Sequence, residues 1–170
     1  PLSPRGDLFL TFAKIWSRVI FFVGGIRWVT QRSDKLDLQK SYLYLSNHES
    51  LTDILALYAT LPQKAVMVAK RSLFILPVFS WGMWLAGFIF INRKNTKEAY
   101  ARLQSAGKLI RKGRSVLMFP DGTRGDGGEL LRLKRGGFVL AATAQIEVVP
   151  VGIAGTAEVL PRDTFPVYPG

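Results

Sequence analysis

The chain has one histidine, His48, within Asn47-His48-Glu49-Ser50-Leu51-Thr52-Asp53. A neutral imidazole takes a proton from an alcohol, and a carboxylate on its other nitrogen fixes the tautomer and stabilises the imidazolium. Asp53 is the nearest candidate for that carboxylate. A separation of five residues rotates about 140° on an ideal helix. The pair therefore meets best if His48 lies in a strand–helix loop and Asp53 in the first helical turn. Each residue also has a plainer reading: Asp53 as a helix cap held by backbone bonds, His48 as a structural histidine.

Two further clusters carry chemistry. Phe119-Pro120-Asp121-Gly122-Thr123-Arg124 begins as a buried strand end and continues into a glycine turn that admits close backbone approach. Arg124 offers the planar fork of donors that grips phosphate, or it is a solvated arginine on a β-turn. Phe90-Ile91-Asn92-Arg93 likewise ends an apolar strand with a guanidinium. Two arginines after two different parallel strands would reach one sheet edge near His48, a match for a phosphorylated alcohol. A calcium loop fits poorly, because Thr123 and Gly125 fall at ligand positions. With no cysteine there is no thiolate nucleophile or thiolate metal site. Ser50 lies near His48, but the Gly-x-Ser-x-Gly elbow of serine hydrolases is missing.

The elements that must position these residues follow from periodicity. Residues 41–46 alternate as a strand; the Ser50-to-Asp53 capping pattern opens a short helix running to Leu61. Residues 64–69 and 88–91 read as strands, and Asn95 or Thr96 opens a long amphipathic helix stopped at Gly113. Residues 115–119 form a strand, 137–144 a small-residue helix and 148–153 a closing strand. This alternation predicts an α/β fold, with a largely parallel central sheet flanked by helices.

A chain of 170 residues that is 48% hydrophobic and 21% charged is long enough for an ordinary core and too apolar for disorder. Its net charge of +11 favours anionic partners: acidic lipid, phosphorylated metabolites, an acidic carrier protein or nucleic acid. No nucleic-acid motif accompanies that charge, and the Lys and Arg are dispersed. Residues 8–29 are apolar but interrupted by Lys14, Arg18 and Arg27. A charge at the bilayer centre costs roughly 2.5–3.5 kcal/mol, which favours an interfacial helix with Lys14 and Arg18 as a basic edge and Trp16 and Trp28 near headgroups. Residues 73–91 are uncharged and long enough to span, but Pro77, Gly82 and Gly87 break them, which favours a helix followed by a strand. The expected division is a membrane-associated helical segment at 1–35 and an α/β domain at 36–170.

Taken in order, these segments resemble the 1-acylglycerol-3-phosphate acyltransferase family, within the wider glycerolipid acyltransferase group. The His-x4-Asp block is matched by His48 and Asp53, and the apolar strand ending near arginine by residues 87–93. The Phe-Pro-Glu-Gly-Thr-Arg block is matched by residues 119–124, with Asp121 in place of glutamate, and the apolar block around proline by Val148-Val149-Pro150-Val151. The resemblance covers roughly residues 36–160, and family chains commonly continue beyond the equivalent of Gly170.

It implies transfer of a fatty acyl group from acyl-CoA or acyl carrier protein to the hydroxyl of lysophosphatidic acid, giving phosphatidic acid. His48 would be the base and Asp53 its support; Arg93 and Arg124 would hold phosphate. Asp121, Gly122 and Thr123 would shape the acceptor site, and Val149 and Pro150 would border an acyl channel. It implies no cofactor or metal, and a place on an anionic membrane surface, at the cytoplasmic face. Other acceptors, such as another lysolipid or glycerol 3-phosphate, and a non-catalytic phospholipid-binding role, remain open at this level.

Overall fold

A computed structural model describes residues 4–31, 36–75, 77–92, 94–126, 128–164 and 166–169. Helix α1 (Pro4–Val23) leads into β1 (Leu43–Ser46), α2 (Thr52–Thr60) and β2 (Ala65–Lys70). A 3-10 turn at Arg71–Ile75 precedes α3 (Pro77–Leu85) and β3 (Ile89–Ile91). Then come α4 (Thr96–Arg111), β4 (Ser115–Met118), α5 (Gly136–Ala144), β5 (Val148–Val151) and α6 (Thr156–Val159). The strands form one sheet in the order β3-β2-β4-β1-β5, and every pairing is parallel.

Parallel strands covered on both faces read as continuous apolar runs rather than alternating ones. All of β1 and β4 is buried, as is β2 up to Ala69. Helix α4 begins where the side chain of Asn95 accepts the Glu98 backbone N–H at 3.1 Å, and it buries Leu103, Ala106 and Ile110. Helix α5 approaches the sheet closely at Gly137, where a Cβ would meet Leu45 Cδ2 at 3.1 Å and Met118 Sδ at 3.2 Å. The edge strand β5 is half-buried. It carries Pro150, whose missing N–H an edge tolerates.

Residues 73–91 do not form one long helix. They contribute the 3-10 turn, α3 and β3, and no described helix is long and apolar enough to cross a membrane.

Helix α1 corrects the expected orientation of its charges. Lys14 Nζ donates to the Leu61 carbonyl at 2.9 Å and Arg18 Nε to the Ala59 carbonyl at 3.1 Å. Both target carbonyls lie at the C-terminal end of α2, where helix geometry leaves acceptors without intrahelical donors. Both cations therefore reach onto α2 rather than forming a separate outer basic edge, Lys14 half-buried and Arg18 still exposed, while Ser17 and Phe21 are buried. Leu10 belongs to the same apolar core as the sheet, and Arg114 at the start of β4 pairs with Asp7 at 2.5 Å. The outward face of α1 carries Leu8, Phe12, Ile15, Trp16, Val19, Phe22 and Val23, all exposed.

Candidate active site

The carboxyl ends of parallel strands are where α/β sheets present functional groups. Strand β1 delivers His48 there, and its neighbour β4 delivers the loop from Phe119 to Gly125. The two segments are fastened at both polar groups of the His48 backbone. The His48 N–H donates to Asp121 Oδ2 at 2.8 Å, and the Gly125 N–H donates to the His48 carbonyl at 2.7 Å. The imidazole stacks on Phe119, with ring centroids 4.0 Å apart and planes 14° from parallel. On the other flank, Asn47 Oδ1 accepts from the Ile153 N–H and its Nδ2 donates to the Ile153 carbonyl, both at 2.8 Å. Asn47 thus carries the β1–β5 pairing one step past the strand ends.

His48 Nδ1 lies 2.7 Å from Asp53 Oδ2. Asp53 stands in the first turn of α2 and is fully buried. Its Oδ2 also accepts the backbone N–H of Glu49 at 2.7 Å and of Ser50 at 2.9 Å, and its Oδ1 accepts the hydroxyl of Thr156. Both sequence readings of Asp53 therefore hold together: it ties the helix start and meets the imidazole. A carboxylate so supplied with donors acts as an acceptor, which assigns the proton to Nδ1 and leaves the Nε2 lone pair for chemistry. The side chain of His48 is 13% exposed, partly open to an incoming group.

Ser50 is engaged elsewhere. It is fully buried, its hydroxyl donates to the Leu160 carbonyl at 2.7 Å, and it accepts from the Thr52 N–H and hydroxyl.

Asp121 is 4% exposed, and burial raises its carboxyl above the ordinary carboxylate value, partly offset by the N–H of His48. Its Oδ1 is buried with no partner among the described residues. Gly122 sits at φ +73°, a backbone conformation that favours glycine; the nearest neighbour of a Cβ there is the mobile end of the Lys134 side chain, so the backbone and not the space sets the requirement. Thr123 is exposed. Arg124 donates through Nη2 to Asp163 Oδ1 at 3.2 Å, and its carbonyl accepts from Arg162 at 2.9 Å. Val149 and Pro150 line a cleft of about 490 Å³ along the β5 edge, together with Tyr42, Tyr44 and Leu61. Arg93 lies outside the described residues. Among those described, no three His, Cys, Asp or Glu side chains gather to hold a metal.

A family model described as Acyltransferase matches residues 27–154, three-quarters of the length and every element from β1 to β5. The chain belongs to the acyltransferase family. It is 36% identical over 128 residues to human 1-acyl-sn-glycerol-3-phosphate acyltransferase beta, an alignment covering 75% of this chain and 46% of that protein. It is also 36% identical over 122 residues to a 1-acyl-sn-glycerol-3-phosphate acyltransferase of Chlamydomonas reinhardtii, covering 72% of this chain and 36% of that one. The chain thus spans less than half the length of these relatives. Among solved structures, the 1-acyl-sn-glycerophosphate (LPA) acyltransferase PlsC from Thermotoga maritima shares the fold. The TM-score is 0.81 at 24% identity, over 95% of this chain and 64% of that one.

At this candidate site, two contacts and one residue at the sheet edge escaped the sequence reading. Thr156 reaches Asp53 from 103 residues away, and no local pattern announces such a contact. Phe119 reads in the sequence as a buried strand end, and its stacking on His48 depends on β4 lying beside β1. Lys70 ends β2 exposed at the same carboxyl edge. An apolar strand closing on a cation is the signal that singled out Arg93, and it marks Lys70 equally.

Proposed function

We propose that this chain carries the acyl-transfer centre of a 1-acylglycerol-3-phosphate O-acyltransferase. The reaction moves a fatty acyl group from acyl-CoA or acyl carrier protein to lysophosphatidic acid, giving phosphatidic acid. The observation that carries the reading is an imidazole held through Nδ1 by a buried carboxylate, next to a loop that bears Arg124. The names of the relatives support the acceptor class.

In this mechanism Nε2 of His48 takes the proton of the acceptor hydroxyl as its oxygen attacks the thioester carbonyl. The tetrahedral intermediate collapses with cleavage of the C–S bond, and the imidazolium returns its proton to the departing thiolate. Asp53 stabilises the imidazolium and holds the ring at the productive angle. No acyl-enzyme forms. Arg124, with Arg93, binds the acceptor phosphate, displacing the weak tie to the exposed Asp163. Asp121, Gly122 and Thr123 form the seat of the glycerol backbone, and the cleft beside Val149 and Pro150 receives acyl chain.

The exposed apolar face of α1 supplies attachment to the lipid surface from which acceptor arrives and into which product returns. The decisive test is His48→Ala assayed with acyl-CoA and acyl-carrier donors against lysophosphatidic acid, another lysolipid and glycerol 3-phosphate. The folded variant should lose thioester-dependent acylation by at least about 100-fold, the lower range for a general base. Turnover near that of the parent protein removes His48 from the role.

A further inference from the structure

Attraction to an anionic membrane needs cations facing lipid, and Lys14 and Arg18 of α1 are turned onto α2. A different surface offers them. A groove of about 600 Å³ runs along the free edge of β3, between that strand and α4. Its floor is apolar, formed by Phe88 and Phe90, and its wall on α4 carries Arg102 and Lys108, both exposed. Those two residues are six apart, about 9 Å along the helix axis. Neither pairs with a carboxylate among the described residues, whereas Arg71 at the groove mouth is partly neutralised by Glu98 at 3.2 Å. Trp84 closes one side.

Trp84 also belongs to the exposed apolar surface of α3, with Trp81 and Leu85. Helix α3 packs against α1, where Phe9 lies over Gly82 and meets Phe88 edge-on at 6.2 Å. The cationic groove therefore opens beside the apolar surface read above as lipid-facing. Aromatic residues at the headgroup level with cations just beyond them suit the border of an anionic bilayer.

We infer that this groove, with Arg102 and Lys108 as its charged wall, seats the headgroup of an anionic phospholipid of the membrane. The inference rests on the reading of α1 as the lipid-facing surface and extends that surface to the exposed face of α3. It assigns the salt-sensitive part of membrane attachment to α4 rather than to the N-terminal helix.

The test is flotation of the full chain with vesicles of phosphatidylcholine alone or with phosphatidylglycerol added, at low and high salt. The parent protein should bind neutral vesicles and bind anionic ones more tightly, with the increment fading as salt shortens the screening length. Each cation at an anionic surface weighs roughly fivefold in affinity, so Arg102→Gln/Lys108→Gln should remove about 25-fold of the increment and leave neutral binding intact. Lys112→Gln/Arg132→Gln, which takes the same charge from outside the groove, should keep the increment. An increment retained by the first double variant, or lost equally in both, overturns the inference while the lipid-facing reading stands. Failure of the parent protein to bind either vesicle overturns both.

Discussion

Thr156 and His48 hold opposite oxygens of one buried carboxylate: the threonine hydroxyl donates to Oδ1 of Asp53 while the imidazole meets Oδ2. Helix α6 thus helps hold the carboxylate that meets the proposed base, although Thr156 lies 103 residues from Asp53 in the chain.

Replacing Thr156 by Val keeps the shape and removes the donor. A buried charged acceptor left short of a hydrogen bond costs about 1–3 kcal/mol, so chemical denaturation should show a loss of that size. Acylation should fall through kcat more than KM, because the defect lies in the dyad and not in acceptor binding. Thr156→Ser should restore both, and an inert Thr156→Val would detach α6 from the dyad.

Asp53→Asn presents the imidazole with an amide in place of the carboxylate. The backbone donors of Glu49 and Ser50 compete for its one oxygen, so the ring loses the partner that fixes its proton on Nδ1. Acylation should drop about 100- to 10,000-fold, as for loss of general-base function, with acceptor KM little changed. Steady-state kinetics with both donors read this directly.

Asp121 sets a pH dependence of stability. Burial raises its carboxyl in the folded chain, so protonation favours folding. That contribution is fully present below the ordinary carboxylate range and is lost as pH rises through the raised folded value. Asp121→Asn keeps an oxygen for the His48 N–H and cannot ionise. Urea midpoints should therefore show the variant gaining on the parent protein as pH climbs from that range towards neutrality, then holding a constant lead. A difference that is flat with pH would contradict the assignment.

Arg124 and Asp163 make an opposed pair of tests. Arg124→Ala should raise KM for phosphorylated acceptors by roughly tenfold or more, since a charge-assisted bond is worth about 1.5–3 kcal/mol. A neutral acceptor should be spared. Asp163→Ala removes the exposed competitor and should leave KM for phosphorylated acceptors unchanged or lower. A rise with Asp163→Ala would show that the ion pair positions the arginine.

Much of the fold could be read from the sequence because its elements declare themselves locally. Asn95 caps α4 as its side chain predicts, and the strands expected at 41–46 and 115–119 form at 43–46 and 115–118, although the first is buried throughout rather than alternating. The expected meeting of His48 and Asp53 also came from local geometry, a loop followed by a first helical turn. What could not be read depends on tertiary pairing. Which way Lys14 and Arg18 point is decided by the carbonyls at the end of α2, more than forty residues away. Amphipathic periodicity places charges on a helix face, but not that face against protein or lipid. The partnership of Thr156 with Asp53 was hidden for the same reason.

The main chain of His48 is anchored at both its amide and its carbonyl to the loop that follows β4. The proposed proton acceptor and the proposed substrate cradle are therefore tied to each other directly. Because the Asp121 carboxylate is itself one of those fastenings and Gly122 is held to its positive φ, only the exposed Thr123 can be exchanged without loosening the imidazole, whereas a change at Asp121 alters cradle and proton acceptor together.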